Sequence, residues 1–356
     1  MTEVRVAAQV AARGLALEIV LPDGDTVAIV GPNGAGKSSL IQLIAGSLRP
    51  DAGTVSMGGE EVAGPAGAVP VHRRRVGYLE QRALLFPHLS VLDNVAFGPR
   101  ARGTSTASAR ARAAEELAAV GLDELASRKP SQLSGGQAQR VALARTLATD
   151  PAVVLLDEPF AALDAEVAPE LRRLLRERLR GVTTVLVTHD FLDVVALADR
   201  VIELDGGRVV AHGTVEELCQ RPTTSFMAGF VGLNLLHGEA VDAHTLQLSD
   251  GVTLSGIAPQ PIGDGDARAV FSPASVSVFN EPPHGSPRNA LPAVVTSIED
   301  RWPSQRVGLR VGDQQLAADL TPAAVRDLEL APGSRVFAVV KATQITITGR
   351  GLDHHR

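Results

Sequence analysis

An α/β fold, with a mostly parallel sheet covered on both faces and a small β-barrel after it, is what this 356-residue sequence predicts. Three observations carry that expectation. Largely apolar β-type runs at residues 26–30, 153–156 and 184–188 alternate with stretches of helical spacing, the pattern of buried parallel strands joined by crossover helices. The runs end in Gly31, in Asp157-Glu158 and in His189-Asp190, and ligands bind at the carboxyl ends of such strands. Beyond residue 233 the pattern changes to short β-type runs separated by Gly, Pro and Asp.

The elements follow in order. Residues 1–30 alternate, as in Leu15-Ala16-Leu17-Glu18-Ile19, and turn at Pro22-Asp23-Gly24-Asp25, which predicts antiparallel strands leading into the strand at 26–30. Residues 54–62 read as a hairpin around Gly58-Gly59. A Gly/Ala/Pro linker is expected over 63–70, and Arg73-Arg74-Arg75 reads as the solvated end of a strand. Residues 76–81 read as a strand ending in a polar side chain, Gln81. From Ser90 to about Thr146 the chain is Ala-rich and helical, punctuated by Gly121, Pro130 and Gly135-Gly136. A helix is expected at 169–180, another at 191–198, and a strand at 201–204 that returns through Asp205-Gly206-Gly207. Barrel strands are expected at 294–298, 307–311, 335–340 and 345–347. These elements place an α/β domain at 1–232, with a helical subdomain at about 88–148, a β-rich connecting segment at 233–285, and a barrel at 286–352.

Composition narrows the function classes. A net charge of −6 implies no strongly basic face and argues against nucleic acid as the main partner. One cysteine, Cys219, excludes a disulfide framework within the chain and fits a reducing compartment. No run of about 18 apolar residues is present to span a bilayer, and the N-terminus has no signal-peptide pattern.

Gly31-Pro32-Asn33-Gly34-Ala35-Gly36-Lys37-Ser38-Ser39 sits between an apolar strand and a helix, the context that the phosphate-loop pattern G-x-x-x-x-G-K-[ST] requires. Its glycines let successive N–H groups turn toward an anion, and the helix start adds its positive dipole end. Lys37 is expected on the β- and γ-phosphates and the Ser38 hydroxyl on Mg²⁺. Asp157, ending its strand beside this loop, can hold Mg²⁺ through its water shell, and Glu158 can orient or deprotonate an attacking water. Ser134-Gly135-Gly136, ahead of a helix at 137–148, offers a second helix start with free N–H groups and a hydroxyl.

Taken together, GPNGAGKSS, LSGGQAQR, LLDEP, Ala162-Leu163-Asp164 and the strand-terminal His189 resemble an ABC-transporter ATPase over residues 1 to about 230. The resemblance implies a phosphate-loop NTPase, with a RecA-like core plus antiparallel β and helical subdomains. It implies a head-to-tail homodimer that binds ATP and Mg²⁺ between the phosphate loop of one subunit and Ser134, Gly135, Gly136 and Gln137 of the other. By the same resemblance Gln81 contacts Mg²⁺ and the attacking water, Asp164 crosses the dimer interface, and His189 contacts the γ-phosphate. The family usually stacks adenine on an aromatic ring ahead of the phosphate loop. This sequence has no aromatic residue before Tyr78, so Arg13 is the candidate platform and weak purine selectivity is expected.

Residues 82–95, with Leu84-Leu85-Phe86-Pro87-His88, are similar to the segment of importer ATPases that receives a short helix from a membrane permease. The alternative is that these apolar residues pack on their own subdomain. The stretch from Ser286 resembles the Mop/TOBE-type barrel attached to molybdate-importer ATPases, through Arg288-Asn289, Leu291, Val295, Leu320-Thr321, residues 328–333 and residues 339–343. Ser286, Arg288, Asn289, Thr321 and Lys341 are the candidate oxyanion contacts, or else turn residues and solvated barrel ends. The expected protein is the ATPase subunit of a bacterial molybdate importer on the cytoplasmic face of the membrane, partnered with permease subunits and indirectly with an extracytoplasmic binding protein. Importers of sulfate, iron or polyamine are the alternative. A soluble ABC protein acting on DNA or ribosomes would carry two fused cassettes or a long coiled-coil insertion, and a molybdate-responsive regulator would carry a helix-turn-helix. Neither pattern occurs in this sequence.

Overall fold

The computed structural model describes residues 2–260, 262–263, 265–285 and 287–349. They fall into two compact units, residues 1–218 and 219–356. The first unit runs β1 (Val4–Val10), β2 (Leu15–Leu21), β3 (Thr26–Val30), α1 (Lys37–Ala45), β4 (Ala52–Met57), β5 (Glu60–Gly64), β6 (Gly67–Ala68), β7 (Val76–Leu79), α2 (Val91–Ala101), α3 (Thr106–Ala119), α4 (Gly135–Ala148), β8 (Val153–Asp157), α5 (Ala168–Arg178), β9 (Thr183–Val187), α6 (Phe191–Leu197), β10 (Arg200–Asp205) and β11 (Arg208–Thr214).

Two sheets organise this unit. One is antiparallel, in the order β2-β1-β4-β5-β6. The other runs β11-β10-β3-β9-β8-β7, parallel throughout except that β11 returns antiparallel to β10. Strands β3, β8 and β9 are buried at every residue, which is why their sequences are continuous apolar runs rather than alternating ones. Side chains of one strand point alternately to two cores. Val153, Leu155, Val185 and Val187 join Ile29, α1 and the antiparallel sheet. Val154, Leu156 and Leu186 join α2, α3, α4 and α5. Helix α1 buries Leu40, Ile41, Leu43 and Ile44 as one stripe. It stops at Gly46, whose φ of 92° lets its N–H bond the Gln42 carbonyl at 2.9 Å.

Two expectations are corrected in this unit. Residues 63–70 are not simply a linker, because β5 runs to Gly64 and pairs with β6. The arginine run is not a uniformly solvated strand end either. Arg73 and Arg75 are exposed, but Arg74 is only 5% exposed. Its guanidinium donates to the carbonyls of Leu43 (3.1 Å), Ile44 (3.1 Å), Val62 (2.9 Å) and Val69 (3.0 Å). It satisfies the carboxyl end of α1 and ties that helix to β5. Burial pulls the Arg74 pKa down, which is the expected direction for a cation whose partners are carbonyl dipoles rather than carboxylates. Replacing it with methionine keeps the apolar stem and strands the carbonyls, so Arg74→Met is expected to destabilise the first unit by about 2–4 kcal/mol. Urea unfolding of the full chain, followed by far-UV circular dichroism, measures this as an earlier first transition.

The second unit begins with short helices at Val215–Gln220, which straddles the boundary, and Ser225–Phe230. Its strands are β12 (Asn234–Asp242), β13 (Thr245–Gln247), β14 (Thr253–Ser255), β15 (Gly265–Phe271), β16 (Ser277–Phe279), β17 (Asn289–Arg301), β18 (Ser304–Val311), β19 (Gln314–Leu320), β20 (Arg335–Val340) and β21 (Thr346–Gly349). They pair as β14-β13-β12-β15-β21 and β16-β20-β17-β18-β19. The strands before and after residue 285 pair and pack with one another. The terminal strand β21 pairs antiparallel with β15, and one core holds Leu236 and Phe271 together with Leu291 and Ile347. Residues 233–285 thus share sheets and a core with the strands that follow them. The boundary itself lies at 218/219 instead of 232.

Candidate nucleotide site

Strands β3, β9, β8 and β7 are neighbours in that order, each about 4.8 Å from the next. The residues leaving their carboxyl ends therefore stand side by side: Gly31 after β3, His189 after β9, Glu158 after β8, and Gln81 after β7. The glycine loop leads straight into α1. A Cβ on Gly31 would lie 2.0 Å from the Leu204 carbonyl oxygen, so only glycine fits the strand exit. The first i→i−4 bond of α1 runs from the Leu40 N–H to the Gly36 carbonyl at 3.0 Å, which leaves the N–H groups of Lys37, Ser38 and Ser39 outside the helical ladder. The Lys37 ammonium donates to the carbonyls of Gly31 (2.6 Å) and Pro32 (2.9 Å), so the loop curls around its own cation. Ser38 is exposed on the first turn of α1, whereas Ser39 is buried.

Charges at this end of the sheet are arranged for a divalent cation and an anion. Burial lowers the Lys37 pKa, against the opposing pull of Glu158 and Asp157. Burial raises that of Asp157, and neighbouring Glu158 adds to the rise while Lys37 opposes it. A cation beside Asp157 and an anion beside Lys37 would counter these two shifts. The donor set thus fits a magnesium nucleotide.

Glu158 has φ 53°, in the left-handed region, and its N–H donates to the Val187 carbonyl at 2.9 Å. Such a conformation in a residue with a side chain costs about 1–2 kcal/mol and persists when its surroundings hold it. Here it aims the carboxylate at His189, whose Nδ1 lies 2.5 Å from Oε2. The carboxylate is sheltered while the His189 side chain is 76% exposed. Gln81 is also exposed, one residue beyond Glu80, which adds a further negative charge near Asp157.

Ser134 caps α4 with a reciprocal pair of bonds: its hydroxyl accepts from the Gln137 N–H (3.2 Å), and the Gln137 Oε1 accepts from the Ser134 N–H (3.0 Å). Ser134 and Gly135 are exposed. A Cβ on Gly136 would come within 3.0 Å of the Ala162 carbonyl oxygen, so this turn packs against the segment that carries Asp164. Asp164 is exposed. Among the described residues no hydrogen bond or ion pair joins residues 134–137 to the glycine loop of the same chain. Arg13 is exposed in a 3-10 turn, Ala11–Arg13. That turn lies near the loop, because Ala16 bonds the Gly207 carbonyl (2.9 Å) and the Gly207 N–H bonds Ala35 (3.1 Å).

The segment after Gln81 splits between its two expected roles. Leu84 is exposed, Leu85 packs on the helical core, and the Phe86 ring lies 4.5 Å from that of half-exposed Phe97. Sequence reasoning missed Asn94, which is fully buried and staples this segment: its Oδ1 accepts from the Phe86 N–H, and its Nδ2 donates to the carbonyls of Phe86 and Ser90. An asparagine at the buried face of an amphipathic helix was the available signal.

In the second unit the candidate oxyanion contacts separate. Ser286 lies outside the described residues. Asn289 is buried, and its Nδ2 donates to the carbonyls of Ser255 (2.9 Å) and Val340 (3.0 Å), so no donor is left for an anion. Thr321 caps the short helix Pro322–Asp327. Arg288 and Lys341 are exposed.

Phosphate cradle, strand-end carboxylates and capped Ser-Gly-Gly turn define an ATP-binding cassette. A family model described as ABC transporter matches residues 16–161, and one described as TOBE domain matches residues 285–347. The chain is 44% identical over 98% of its length to the "Molybdenum import ATP-binding protein ModC" of Mycobacterium tuberculosis, covering 97% of that protein. It is 43% identical to the "Sulfate/thiosulfate import ATP-binding protein CysA" of Brucella melitensis biotype 1, over 74% of each chain. Among solved structures, a dimeric post-hydrolysis state of the ATP-binding cassette MJ0796 bound to ADP and Pi matches with a TM-score of 0.54 at 30% identity, covering 60% of this chain and 99% of that one. The chain belongs to the ABC transporter family, as an importer ATPase that carries a C-terminal TOBE domain.

Proposed function

We propose that this chain powers molybdate import. The observation that supports the substrate is the match to the molybdenum relative, 44% identical over 98% of the chain, against 39% over 91% for an iron-import relative and 43% over 74% for the sulfate relative. Lys37 and the N–H groups at the start of α1 bind the phosphates of ATP. Ser38, Asp157 and Gln81 hold Mg²⁺, which when bound offsets charge on the phosphate oxygens. Glu158 takes the proton of the attacking water, and His189 faces Glu158 and the γ-phosphate. Ser134, Gly135 and Gly136 complete the site of a second copy, so that ATP closes a dimer and hydrolysis releases it. The dimeric relative bound to ADP and Pi supports this assembly.

Leu84 and Phe97, exposed beside Phe86, support a docking surface for a permease helix, which would place the chain on the cytoplasmic face of the membrane. With Asn289 committed to the backbone, an anion-sensing role for the second unit rests, among the described residues, on exposed Arg288 and Lys341 and on the Thr321 hydroxyl, which accepts its cap bond and keeps its own proton to donate. The test is uptake of radiolabelled molybdate, sulfate and ferric iron in cells of the source organism whose chromosomal copy carries Lys37→Ala. Molybdate uptake is expected to fall to background with the other two unchanged. Loss of sulfate or iron uptake with molybdate uptake intact would overturn the assignment.

A further inference from the structure

We propose that Arg172 is a positioning residue of the hydrolytic site, setting the loop that carries His189 against the loop that carries Glu158. The inference rests on the roles proposed above for those two residues.

The exposed His189 ring has one side-chain partner among the described residues, the Glu158 carboxylate. Beyond that contact, its position depends on the residues on either side, and both are clamped. Thr188 donates its hydroxyl to Asp193 Oδ2 at 2.6 Å and accepts the Asp190 N–H at 3.0 Å. Asp190 caps α6 by accepting the Leu192 N–H on Oδ1 at 2.8 Å. The other oxygens of the two aspartates converge on Arg172 of α5: Nε donates to Asp193 Oδ1 at 2.7 Å, and Nη2 donates to Asp190 Oδ2 at 2.9 Å. One guanidinium thus spans both carboxylates. The same group lies 5.2 Å from the centre of the Phe160 ring, two residues beyond Glu158. Arg172 touches both loops, and it touches neither His189 nor Glu158.

A plain surface ion pair would not be built this way. Asp193 is buried, and burial pushes its carboxyl pKa up while Thr188 and Arg172 pull it back. Without the guanidinium, the buried carboxylate loses its counter-charge, and the Thr188 hydroxyl is held by an acceptor that is itself poorly held. A lysine supplies one point charge and cannot reproduce the fork that reaches two carboxylates.

The test uses the full chain with Arg172→Met, Arg172→Lys and Glu158→Gln. For Arg172→Met, kcat for ATP is expected to fall on the order of 10- to 100-fold, as for a misplacement of about 1 Å, with KM within about twofold. Arg172→Lys is expected to recover only part of that loss. In the Glu158→Gln background, Arg172→Met is expected to form the MgATP-dependent dimer on size exclusion as fully as Glu158→Gln alone, which separates positioning from folding. Unchanged kcat in Arg172→Met would overturn the proposal. So would loss of the trapped dimer together with kcat, because the arginine would then serve the fold as a whole. Wild-type turnover in Glu158→Gln alone would instead sink the underlying reading of the site.

Discussion

Glu158→Gln is expected to lower ATP turnover by roughly 10²–10⁴-fold, about 3–5 kcal/mol of barrier, while leaving ATP bound. The substitution keeps the shape of the side chain and the Glu158 N–H bond to Val187. It removes only the carboxylate that can accept a proton. The phosphate cradle is untouched, because Lys37 bonds Gly31 and Pro32 through its own ammonium. Nucleotide is therefore still expected to close the proposed dimer, with the step that opens it lost. A closed dimer with stoichiometric ATP should persist on size exclusion in Mg²⁺ and dissociate when the metal is chelated. Steady-state phosphate release gives the rate. Full turnover by the variant would remove Glu158 from the role of base. It would then leave the left-handed backbone at this residue without a catalytic reason.

Some of this site was legible in the chain because short-range rules set it. Strands β3, β8 and β9 are buried on both faces, so their apolar runs needed no partner to be recognised. Ser134 and Gln137 form a capping box, a signature written in four consecutive residues. The side chains that tertiary structure places were harder to read. Within three consecutive arginines only Arg74 turns inward, because the cavity it fills is lined by carbonyls of α1 and β5, elements far apart in sequence. Arg172 left a clearer trace. Ala168, Leu171 and Leu175 form the buried stripe of α5, and position 172 falls on that stripe at helical spacing. A charged residue there requires a buried partner, which in this fold is Asp193 in the first turn of α6. The second unit was hard to read for a similar reason: β21 pairs with β15, a strand far from it in sequence.

Two inactive variants of this chain are expected to restore one another on mixing. Lys37→Met removes the cation of the glycine loop, and Gly135→Asp places a carboxylate at the exposed start of α4. If each ATP lies between the loop of one copy and residues 134–136 of the other, either variant alone spoils both sites of its dimer. A mixed dimer is different. Its first site pairs the damaged loop with the damaged turn, and its second pairs an intact loop with an intact turn. Random mixing makes half the dimers mixed, each with one good site, so roughly a quarter of the wild-type rate should return when the two sites act independently. Cooperation between sites lowers that fraction without abolishing it. Phosphate release from an equimolar mixture, compared with each variant alone, measures the recovery. Were each chain to hydrolyse ATP within itself, mixing would restore nothing. The structure argues against that alternative, since no bond links residues 134–137 to the loop of their own chain among the described residues, and Ser134 and Gly135 stand exposed.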